Sequence, residues 1–100
     1  MSVKKTTIYW RDIPSQVIVQ RGRQREKAQL SARFQEAIDR AAMRAGKGSS
    51  DAYLSEWRRV TENLDLAGDL GRYVAAEIER LESEYSDDRL SSLIRSHGAG

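Results

Sequence analysis

Apolar residues follow two spacings along this chain. From Thr6 to Arg11 and from Gln16 to Arg21 they are β-branched or aromatic and alternate with polar positions, whereas from Ser31 onward they recur every three or four residues. The first spacing predicts an antiparallel hairpin. Its turn is placed at Ile13-Pro14-Ser15, because Pro14 holds φ at about −65° and suits the first central position of a turn. Ile8 and Trp10 then share one face, with Val17 and Val19 paired on the second strand. Ala28-Gln29-Leu30 fits either a short third strand or a lead into the next helix.

The second spacing predicts helices. Ser31 is a suitable N-cap, and Phe34, Ala37, Ile38, Ala41, Ala42 and Ala45 form a stripe that ends at Gly46. After the loop Lys47-Gly48-Ser49-Ser50, the residues Tyr53, Leu54, Trp57, Val60 and Leu64 predict a second amphipathic helix. Asn63 to Asp69 reads as irregular. Leu70, Val74, Ile78, Leu81 and Tyr85 mark a third helix; Ser86 caps a fourth that runs from Asp87 to about Arg95. The expected fold class is α+β: an N-terminal antiparallel hairpin, with or without a third short strand, packed on three to four helices. It forms one domain, ordered over about 6–95 and frayed at Ser96-His97-Gly98-Ala99-Gly100. The expected core comprises Ile8, Trp10, Val17, Val19, Phe34, Ile38, Leu54, Trp57, Val74 and Ile78.

Charge adds something that the periodicity does not. The net charge of +2 conceals a division: residues 1–47 hold eleven Lys/Arg against four Asp/Glu, net +7, and residues 48–100 hold six against eleven, net −5. A basic patch in the first half would suit an acidic partner or nucleic acid, and the two-ended charge also permits self-association. The absence of cysteine removes disulfides, thiol nucleophiles and thiolate metal sites, and makes the cytoplasm the expected compartment. No run reaches the roughly 18 to 20 apolar residues that span a bilayer, so no membrane role is expected.

The strongest binding signal is the alternation Arg21, Arg23, Arg25, Lys27, which in an extended chain puts four cations on one side, where guanidinium forks can meet phosphate or carboxylate oxygens. The same residues would serve equally to keep a sheet edge from aggregating. Tyr9 and Trp10, beside Arg11, offer ring surfaces of the sort single-stranded nucleic acid stacks on, although aromatic residues in strands are usually core and adjacent ones face opposite ways. Asp87 and Asp88 fit the first turn of a helix better than a metal site, and His97 has no partner suggesting catalysis. No catalytic, cofactor-binding or metal-binding set is therefore expected. The register from Ala28-Gln29-Leu30-Ser31 through the first helix to Ser50-Asp51-Ala52-Tyr53-Leu54 is similar to that of ribbon–helix–helix proteins. A preceding hairpin and two following helices depart from that pattern.

Ile8-Tyr9-Trp10-Arg11-Asp12-Ile13-Pro14, Gln16-Val17-Ile18-Val19 and Arg21-Gly22-Arg23, with Phe34, Ala37 to Met43 and Asp51 to Trp57, resemble a small bacterial family labelled "virulence factor" domain, over roughly residues 6 to 95. The resemblance implies a stand-alone cytoplasmic protein with no assigned catalytic residues, in surroundings that include corrinoid-dependent methyl transfer. The chain has no histidine placed to ligate cobalt, so such a link would be that of an accessory protein. The functional expectation is a non-enzymatic accessory protein that contacts another protein, or a second copy of itself, through Tyr9, Arg11, Arg21, Arg23, Arg25 and Lys27. Nucleic-acid binding through the same basic row is the alternative.

Overall fold

The structure, a computed structural model, describes residues 2–100. Three strands follow one another: β1 (Ser2–Trp10), β2 (Ile13–Arg21) and β3 (Gln24–Gln29). Helix α1 (Ala32–Arg44) and the single turn α2 (Ser50–Leu54) lead into β4 (Trp57–Asp65), and α3 (Leu70–Glu84) and α4 (Asp87–Arg95) complete the order. The four strands form one antiparallel sheet in the order β3-β2-β1-β4.

The α+β class and the N-terminal hairpin stand as the sequence implied, but the turn does not lie at Pro14. Trp10 pairs with Ile13, so the loop is Arg11-Asp12. Pro14 instead sits early in β2 opposite Tyr9, before the stretch that pairs with β3 begins at Gln16. Between Ile8 and Tyr9 the register shifts by one, leaving Ser15 as an extra residue on β2. A proline without an N–H is tolerated beside a bulge where the strand has a single neighbour. The Ser15 carbonyl is not wasted, since it accepts from the Leu30 N–H at 2.9 Å.

The third strand is present and longer than Ala28-Gln29-Leu30. It starts at Gln24 after the Gly22-Arg23 turn, where Gly22 takes φ +59°.

The larger correction concerns the second helix. It stops after five residues, and Trp57–Asp65, expected as its continuation, is a nine-residue strand along the other side of β1. Without it, β1 would present an unpaired edge, and every residue from Ser2 to Trp10 now has a partner between Asp65 and Trp57. Leu54, expected in the core, is 62% exposed as a result. Ile8 and Trp57 are half-buried, as is Ile78.

Helix α3 crosses one face of the sheet. Lys5 on β1 meets Glu77 of α3 at 2.5 Å, with both side chains nearly enclosed, which identifies the covered face. Val3, Thr7, Val17 and Val19 lie on that face and join Phe34, Ile38, Ala41, Val74, Leu81, Leu90 and Leu93 in a continuous core. At about 1.5–3 kcal/mol per fully buried aliphatic side chain, this cluster is the main source of stability. Trp10 is closed off at the sheet's end, its indole N–H donating to the Tyr53 carbonyl at 2.9 Å and its ring stacked on Tyr53.

Candidate functional site

Residues directly opposite one another in an antiparallel sheet share a face. On the face turned away from α3, the register therefore assembles three rows, each running from β3 to β4. Arg25, Gln20, Lys4 and Asn63 form the first; Lys27, Ile18, Thr6 and Thr61 the second; Gln29, Gln16, Ile8 and Arg59 the third. No helix covers them: the four cations, Gln20, Gln29, Thr61 and Asn63 are all exposed. These twelve positions hold four positive charges and no carboxylate; one carboxylate, Asp65 opposite Ser2, follows on the same face at the end beyond Lys4 and Asn63. The covered face differs, carrying Glu26 and Glu62 in the row of Val19 and Lys5. Among the described residues, Lys4, Arg25, Lys27 and Arg59 take part in no ion pair and no side-chain hydrogen bond.

The basic row read from the sequence is thus divided by its own turn. Arg21 belongs to the covered face and spends its guanidinium on the carbonyls of Leu66 (3.3 Å) and Gly68 (2.8 Å) and on Gln24 (3.1 Å), tying β2 to the loop before α3. Arg23 lies exposed in the turn, and Arg25 and Lys27 alone face outward together. Lys4 and Arg59, absent from the sequence reading, complete the patch. Arg59 could not be found while its segment looked helical, since its place beside Ile8 exists only once β4 pairs with β1.

Arg11 and Tyr9 belong elsewhere. Arg11 takes φ +52°, which costs an L-residue roughly 1–2 kcal/mol, and four contacts hold it there. Its N–H donates to the Glu56 carbonyl, its carbonyl accepts from Arg58, and its guanidinium reaches Glu56 and the His97 carbonyl. Glu56 also meets Lys47 at 3.5 Å. The Arg11 hydrogen bond, followed by the charges of Arg11 and Lys47, holds the Glu56 carboxyl below its ordinary range. The tail read as fraying is engaged at this corner: Asp12 N–H donates to the Gly98 carbonyl at 2.8 Å, and Gly98 packs on the Trp10 ring.

Tyr9 lies under the Arg58 guanidinium at 4.7 Å, in the wall of a half-open cleft of about 450 Å³ between β1, β4 and α4. Tyr85 forms another part of the wall, and burial raises its phenol above the ordinary range despite the opposing charge of Arg89.

Among the described residues, no three His, Asp or Glu side chains converge as a metal site requires, and no helix is long and apolar enough to cross a membrane. The arrangement can attract and orient anions. No curated protein and no solved structure matches this chain. The family model described as "Virulence factor" matches residues 8–94, and the protein belongs to that family.

Proposed function

We propose that this protein is a non-enzymatic interaction module that docks an acidic surface of another protein on the open face of its sheet. The observation that carries this reading is the set of three uncovered rows with four cations that form no ion pair, against a single carboxylate, Asp65, at the edge of the face. Unpaired cations held on a rigid sheet cost little to reorganise on binding and steer an acidic partner into place.

The chemistry of the face selects among occupants. A second copy would bring like charges together, so self-association through this surface is disfavoured. Single-stranded nucleic acid binds sheet faces through successive aromatic rings. Here the centre holds the buried Ile18 with Thr6 and Ile8, and of the two tryptophans that border the third row Trp10 is closed off under Tyr53, leaving Trp57 as the accessible ring. An apolar strip within a cationic polar frame suits protein side chains better than bases. From strand spacing and rise, the rows cover about 14 Å by 14 Å between Cα positions, on the order of 400 Å² once side chains are included. That falls below the roughly 800 Å² per partner of a standard stable complex, so the docking is transient and sensitive to salt.

Titration with a labelled glutamate-rich peptide and with mixed-sequence single- and double-stranded DNA, each at several salt concentrations, tests the proposal. The peptide should bind and weaken with salt. The variant R25E/K27E should lose the interaction by at least about tenfold, whereas R21A should keep it while folded, because Arg21 faces the helices. Tighter binding of DNA than of the peptide, or loss of peptide binding in R21A equal to that in R25E/K27E, would refute it.

A further inference from the structure

The cleft beside Tyr9 is separate from the open face and lies on the helix-covered side of the molecule. We infer that it binds a small organic anion, with a phosphate or carboxylate head held by Arg89 and Ser92 and a short apolar body lying against Val60 and Leu93.

Arg89, Ser92 and Ser96 fall on one side of α4 at spacings of three and four, with Leu93 between them, and all four line the cavity. The guanidinium of Arg89 lies 4.0 Å above the Tyr85 ring and donates only to the Glu84 backbone carbonyl, at 3.2 Å. It has no carboxylate partner, because the Glu84 side chain is taken by Arg80 at 2.8 Å. A planar, positioned fork whose charge is unspent is the group that reads phosphate or carboxylate oxygens in two-point fashion.

The other charges in the wall are already matched. Arg58 donates to Asp12 at 2.9 Å and to the Arg11 carbonyl at 2.7 Å, and the second Asp12 oxygen accepts from the Gly100 N–H at 2.7 Å. Asp12 therefore offers an incoming anion little repulsion, and Arg58 serves as a fixed wall over Tyr9. Ser96 donates to main-chain carbonyls of Ser92 and Leu93, leaving the Ser92 hydroxyl as the free donor on the helix. Neither phenol, of Tyr9 or Tyr85, forms a side-chain hydrogen bond within the described residues, and no buried side-chain polar atom lacks a partner. Tyr85 is nevertheless only 8% exposed, so its unpartnered hydroxyl is the part that opens to the cavity. Two phenols, a hydroxyl and a guanidinium without a carboxylate partner stand around an apolar floor and make the pocket rich in donors.

Amide-resolved NMR titration separates this from every other surface. Phenyl phosphate and benzoate serve as anionic probes with an apolar body, inorganic phosphate as the head alone, and phenol as the body alone. Phenyl phosphate or benzoate should move the amide signals of Ser92, Leu93 and Ser96 and leave those of Arg25 and Lys27 unmoved. R89Q should weaken the binding by at least about tenfold, the loss expected for a charge-assisted hydrogen bond. Ser92→Phe, which fills the cleft from an exposed helix position with all charges kept, should abolish it. Binding of inorganic phosphate alone, at the same residues and equally strong, would overturn the apolar-body half of the proposal. Equal binding of neutral phenol, or binding unaffected in folded R89Q and Ser92→Phe, would overturn the whole. R25E/K27E should leave probe binding intact and R89Q should leave peptide docking intact, so that either proposal can fail without the other.

Discussion

Arg11 shows how a single residue can be costly and still fixed. The backbone conformation favours glycine, yet the side chain bridges Glu56 and the His97 carbonyl. Arg11→Ala keeps the unfavourable φ and loses both bridges; Arg11→Gly loses the bridges and relieves the backbone. Urea denaturation should find both variants less stable than the parent, with the glycine variant ahead of the alanine variant by about 1 kcal/mol. The reverse order would mean that the corner imposes no backbone cost. Lys5 and Glu77 present a different balance, since their side chains are only 9% and 12% exposed. Glu77→Leu strands the Lys5 ammonium and should cost about 3–5 kcal/mol, while the double variant with Lys5→Met should recover most of that loss. Lys5→Met alone should cost less than Glu77→Leu, because Arg80 continues to bind the Glu77 carboxylate at 2.8 and 3.0 Å.

At the scale of elements, α1, α3 and α4 were legible because each has an uninterrupted apolar stripe and a chemically suitable start. Ser86 accepts from the Arg89 N–H as expected, and Asp69, read as the end of an irregular stretch, caps α3 by accepting from the Arg72 N–H. Ser31 occupies the expected N-cap position, but its hydroxyl and N–H both go to Glu82 of α3, a contact that no local pattern reveals. The segment 50–65 misleads for a physical reason. Tyr53, Leu54, Trp57, Val60 and Leu64 keep helical spacing, while the force that extends Trp57–Asp65 is the open edge of β1, whose residues lie 47 to 63 positions earlier than their partners. Arg59 enters the outward patch only through that pairing, and Lys4 enters it because β1 begins at Ser2 and not at Thr6, which is why Arg25 and Lys27 could be read from sequence and these two could not. Replacement of Leu54 by alanine tests the assignment. In a core helix it would cost about 2–5 kcal/mol, and at its exposed place in α2 it should change stability by less than about 0.5 kcal/mol, whereas Val17→Ala should be clearly destabilising.

Across the whole molecule, the basic first half and the acidic second half are joined by carboxylates that must stay ionised. Glu77 is held down to about 2 from 4.5, by the Arg80 hydrogen bonds foremost and then by Lys5, against the opposing effect of burial. Burial would raise Glu82, but the Ser31 N–H and hydroxyl together with Arg33 outweigh it and lower the group, and Glu56 is lowered by Arg11. Depressed carboxyls stabilise the fold fully above their unfolded-state values and lose that contribution as pH falls through the folded ones. Thermal melting should accordingly be level from about pH 6 to 5 and fall steadily between about pH 4.5 and 2; Glu77→Gln should flatten that fall. A melting temperature that rose on acidification would contradict the pairing of sheet and helices described here.

The first corner of the sheet is sealed from far along the chain. Gly98, at φ +87°, lies so close to Trp10 that an added methyl group would sit 2.9 Å from the indole, and the Arg11 side chain bonds a carbonyl 86 residues away. On the ribosome, the hairpin is synthesised long before its cover arrives. Until residue 98 has left the exit tunnel, the edge of the Trp10 indole that Gly98 covers must face water, and a nascent chain stalled ahead of that point should emit at longer wavelength than the released protein.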